Sequence, residues 1–108
     1  MPKFLIHANY TDKGVQGLLR EGGTSRRDAV ASAAKSVGGT LESMYYAFGE
    51  ADAVVIVDLP DNATAASFAL RIRGSGAVTI RTTPLLTPEE IDTATAARVE
   101  YRPPGADQ

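Results

Sequence analysis

A chain of 108 residues, 44% hydrophobic and 22% charged, has the size and composition of one folded domain with its own core. Its net charge of -2 excludes a dedicated nucleic-acid binder, which needs clustered Lys and Arg against phosphates. The lack of cysteine and the single histidine exclude disulfides, thiolate nucleophiles, zinc–thiolate centres and paired-histidine metal sites, so neither metal nor cofactor is expected.

Lys3–Tyr10 reads as a strand, with Phe4, Ile6 and Ala8 on one face and Leu5, His7 and Asn9 on the other. Thr11-Asp12 caps a short helix carrying Val15, Leu18 and Leu19, and Gly22-Gly23 breaks it. A second helix is expected from Ser25, with Asp28 in a weak capping-box position. Its stripe is Val30, Ala33, Ala34 and Val37, and Gly38-Gly39 supplies a left-handed stop.

Thr40–Phe48 is rich in β-formers and predicts the second strand. Ala53–Leu59 is continuously apolar except for Asp58, which predicts a central strand buried on both faces. After Pro60, Asp61 caps a helix striped by Ala65, Phe68, Ala69 and Ile72. Ala77–Pro84 predicts the fourth strand, with Val78 and Ile80 opposite Thr79, Arg81 and Thr83. Thr87-Pro88-Glu89-Glu90 starts a last helix that runs to about Ala97.

This order predicts an α+β domain over residues 1–97, with a flexible tail over 98–108. The expected architecture is a ferredoxin-like βαββαβ antiparallel sheet of order 4-1-3-2. The main helices cover one face, and an extra helix follows the last strand. No apolar run reaches the length of about 18 residues that a membrane span needs, and the N-terminal run is too short for a signal peptide. A cytoplasmic protein is expected.

Several segments, taken in order, resemble the GYD-domain family. They are Tyr10-Thr11-Asp12-Lys13-Gly14-Val15, Gly38-Gly39, Tyr45-Tyr46-Ala47-Phe48-Gly49-Glu50, Leu59-Pro60-Asp61 and Thr83–Glu90. The resemblance covers about Lys3 to Ala94. It implies a bacterial protein of no established activity, similar in shape to dimeric α/β-barrel proteins. In such dimers two sheets pack face to face, and small ligands enter between sheet and helices. The family's namesake glycine, tyrosine and aspartate fall near Gly49, Ala51 and Asp52, so the tyrosine is missing and no role of it transfers.

The pattern places His7 and Asn9 on one face of the first strand, beside Thr79, Arg81 and Thr83 of the fourth. As a site, Arg81 would bind an anionic group while His7 orients a substrate or moves a proton. As plain structure, the same residues would satisfy one another across a dimer interface. Tyr46, with Tyr45 and Phe48, would line a pocket or fill core. The expected ligand-binding set is therefore His7, Asn9, Tyr46, Arg81 and Thr83.

Three readings follow. The first is a small-molecule-binding or accessory homodimer joined through the open sheet face, with no strong catalytic signature. The second is a cofactor-independent monooxygenase- or isomerase-like enzyme using His7 and Arg81. The third is a structural or interaction module.

Overall fold

The computed structural model describes residues 1–105, so residues 106–108 of the expected tail lie outside the described residues. The elements run β1 (Lys3–Tyr10), α1 (Asp12–Glu21), α2 (Gly23–Ser36), β2 (Thr40–Tyr46), β3 (Ala53–Asp58), α3 (Asn62–Gly74), β4 (Val78–Leu85) and α4 (Pro88–Ala96). The four strands form one antiparallel sheet of order β2-β3-β1-β4, which is the expected order read from the opposite edge. This is the ferredoxin-like α+β arrangement.

Period-two alternation sends every second strand residue to the helices. Phe4 and Ile6 of β1 meet Val55 and Val57 of β3, and Leu59, Ala34 of α2 and Ala65 and Phe68 of α3 complete the buried core. Val30, Val37 and Ile72 pack around it. The two main helices therefore share one face of the sheet.

Three local differences from the sequence reading have physical causes. The second helix starts at Gly23 rather than Ser25, because Gly22 (φ 83°) both ends α1 and starts α2, leaving α2 without a side-chain cap. Strand β2 stops at Tyr46, short of Phe48, whose backbone turns to φ 54°. Strand β3 is buried on one face only. Its other face, Val54, Ile56 and Asp58, is half-buried because no helix covers it.

A first-turn tie fixes the start of α1. Thr11 Oγ1 accepts the Gly14 N–H at 3.2 Å and donates to the Gly76 carbonyl at 2.8 Å. The helix approaches the α3–β4 connection so closely that only glycine fits at position 14. A Cβ there would lie 2.0 Å from the Ala77 carbonyl oxygen.

Helix α4 has a complete capping box between Thr87 and Glu90 with Pro88 in its first turn, yet it buries none of its residues. The radius of gyration is 17.6 Å and the long dimension 61 Å, against about 13 Å expected for the radius of a compact domain of this length. Residues 98–105 form neither helix nor strand.

Candidate functional site

The sheet has two faces of different character, and the expected site residues divide between them. On the open face, the register sets His7 opposite Arg81, Leu5 opposite Thr83 and Asn9 opposite Thr79. His7 also faces Val54 of β3. His7, Asn9, Arg81 and Thr83 thus share one face, as alternation predicts.

Their immediate chemistry differs. Neither His7 nor Arg81 has a side-chain hydrogen bond or ion pair among the described residues. Asn9 is committed to structure: its Oδ1 accepts the Asp52 N–H at 3.1 Å. Asp52 returns the contact one residue along, accepting the Tyr10 N–H at 2.9 Å. This aspartate ties the β2–β3 turn to the end of β1. Ala51 beside it is 5% exposed, an interior position.

At the other end of the open face, Lys3 donates to Asp58 at 2.9 Å and also contacts Glu42. The two carboxylates raise the Lys3 pKa above its ordinary value, Glu42 contributing most. Beside His7, Arg81 and Thr83 this face also carries apolar side chains, with Leu5, Val54 and Ile56 half-buried and Tyr45 72% exposed.

Tyr46 lies on the opposite face from His7. A register irregularity between Leu41 and Ser43 makes Glu42 the extra residue of a bulge and reverses the alternation of β2. Tyr46 therefore pairs with Ala53 on the helix side, where its hydroxyl donates to the Gly23 carbonyl at 3.1 Å. Its ring stacks on Phe48 with centroids 6.1 Å apart. The five expected ligand-binding residues therefore do not form one cluster.

A cavity of about 60 Å³ opens on this helix side. Its origin is visible in the strand rows. Large residues pair deep in the core (Phe4 with Val57, Ile6 with Val55), but the next pair is Ala8 with Ala53. Two methyl groups cannot fill the space beneath Val30, Phe68 and Ile72, and a void remains. Tyr10 and Arg26 line it as well. Burial, with the nearby Tyr46 adding to it and Arg26 opposing it, pushes the Tyr10 phenol up to about 12.

Tyr10, Arg26 and Val78 also line a second, more open cleft of about 270 Å³ beside α1. Cavity and cleft thus share a boundary, apolar within and charged without. Tyr10 and Arg26 were absent from the sequence-derived set. Tyr10 was findable, since it continues the Phe4, Ile6, Ala8 row; Arg26 was not, because only tertiary packing brings the start of α2 here.

Among the described residues, no group of three or more His, Cys, Asp or Glu is placed to hold a metal ion, and no helix is long and apolar enough to cross a membrane. No curated protein is matched by the chain. The family model of the GYD domain matches residues 4–95, taking in all four strands and the helices between them. The chain belongs to the GYD-domain family.

Proposed function

We propose that this protein is a homodimer that binds a small molecule between its sheet and its helices, without chemistry of its own. The observation that supports the binding reading is the cavity above the Ala8–Ala53 pair, apolar in its lining and bounded by Tyr10 and Arg26. Sites for small molecules combine an apolar body with a few convergent polar groups. The dimer reading rests on the open face, where Leu5, Val54, Ile56 and Tyr45 form an apolar strip beside His7 and Arg81 that no helix covers. Pairing two such faces removes that strip from water and seats His7 and Arg81 at the interface. The lack of cysteine fits a cytoplasmic setting.

Light scattering on the purified protein tests the dimer: twice the chain mass is expected, and Ile56→Lys should give a folded monomer. A wild-type monomer across micromolar concentrations overturns it. Filling the cavity tests the site. Ala53→Val should retain the fold while abolishing the methyl shifts that a small alcohol causes at Val55 and Ile72; unchanged shifts would place the alcohol elsewhere.

The His7–Arg81 register favours a second reading, an enzyme of the cofactor-independent oxygenase or isomerase type. Neither residue lines the cavity between sheet and helices, which ranks this reading below the first.

A further inference from the structure

We propose that the ligand class of this site is the short aliphatic carboxylate, its chain in the cavity and its charge in the adjoining cleft. The inference rests on the cavity being the binding site and adds the chemistry of the ligand.

The size argument comes first. A cavity of about 60 Å³ is under half the volume, about 150 Å³, that admits benzene in an apolar core. An aromatic ring is too large, whereas the end of a chain of a few carbons fits. Ile6, Val55, Phe68 and Ile80 offer that end only apolar contact.

The charge argument is independent. The cleft beside α1 carries Lys13, Arg20 and Arg26 against one carboxylate, Glu21, although the whole chain is net negative. Lys13 is partly engaged, donating to the Ser75 carbonyl at 3.1 Å. Arg20 has no ion pair among the described residues, and Arg26 meets Glu21 only at 3.4 Å. A concave surface with excess positive charge attracts small anions, and a guanidinium suits a carboxylate.

Geometry joins the two. Arg26 and Tyr10 line both spaces, so a ligand crossing the shared boundary has its apolar end inside and its head at Arg26 and Arg20. The Tyr10 phenol, protonated at neutral pH, can donate to the carboxylate. Glu21 then competes with the ligand for Arg26. Gly17 of α1 also lines the cleft and puts no side chain into it.

The test compares pentanoate with pentanamide, its neutral counterpart, by calorimetry and by methyl shifts at Val55 and Ile72. Pentanoate should bind at least tenfold tighter, and its affinity should fall as salt rises. Arg26→Gln and, separately, Arg20→Gln should each weaken pentanoate several-fold and pentanamide much less. Arg26→Lys should recover part of the loss, and Glu21→Gln should strengthen pentanoate. If pentanamide binds as well as pentanoate, or both arginine variants leave pentanoate unaffected, the anion assignment falls while the cavity reading stands. If neither compound shifts the cavity methyls, the cavity reading falls and this proposal with it.

Discussion

Asp52 accepts the Tyr10 backbone N–H at 2.9 Å, while its own N–H donates to Asn9 Oδ1 at 3.1 Å. The pair closes the β2–β3 turn onto the last residues of β1, next to the mouth of the cavity. Asp52→Ala removes a charge-assisted bond and leaves a half-buried amide without its acceptor, so a loss of about 1.5–3 kcal/mol is expected. Asp52→Asn keeps an acceptor and should lose less. Urea unfolding of the two variants, compared at equal m-value, checks the ordering.

Two glycines of α1 are expected to respond in opposite directions. A Cβ at position 14 would lie 2.0 Å from the Ala77 carbonyl oxygen and 2.9 Å from the Tyr10 ring, so Gly14→Ala must push α1 away and should cost about 2 kcal/mol or more. At Gly17 nothing is in reach, so alanine there should stabilise the helix by about 0.5–1 kcal/mol. Thermal unfolding of both variants decides; a tolerant Gly14→Ala would show that the α1 approach is looser than described.

Thr82 carries a hydroxyl that is enclosed and has no hydrogen-bond partner. It stands opposite Ile6 on the helix side of β4. An enclosed hydroxyl without a partner costs free energy that a methyl group of similar shape avoids. Thr82→Val should therefore raise stability by about 1 kcal/mol. A drop in melting temperature would reveal that the hydroxyl is satisfied by bound water.

Tyr10 supplies a pH dependence. In the unfolded chain its phenol titrates near 10, and in the fold near 12, because burial disfavours the phenolate. The native state holds the proton more tightly, so stability is level below pH 10 and falls as pH rises from about 10 to about 12. Among the four tyrosines, one should ionise late in a phenolate absorbance titration, and Tyr10→Phe should remove both that step and its share of the alkaline loss.

The helix stripes and strand faces were readable from periodicity, and the strand order and the His7–Arg81 neighbourhood from the βαββαβ order of elements taken as a ferredoxin-like sheet. Phe4, Ile6 and Ala8 set the parity of β1, and antiparallel pairing carried it to β4. Which face Tyr46 takes was not readable, because one extra residue, Glu42, inverts the parity of β2 partway along. Nothing in Thr40–Phe48 marks that residue as bulged; its contact with Lys3 becomes visible only in the folded sheet. The cavity was hidden for another reason. Ala8 and Ala53 look like ordinary small core residues until the register sets them opposite each other and leaves the space unfilled.

The position of β1 has a consequence for how the protein is made. It is the first strand in the chain, yet its neighbours, β3 and β4, begin only at Ala53 and Val78. During synthesis Phe4 and Ile6 emerge early and cannot reach their full set of partners until the chain has passed Leu85. The sheet is therefore complete only once β4 has arrived, and its pairing with β1 closes the longest loop in the sheet. A nascent chain stopped between α3 and β4 would expose one edge of β1, the segment a chaperone would be called on to shield.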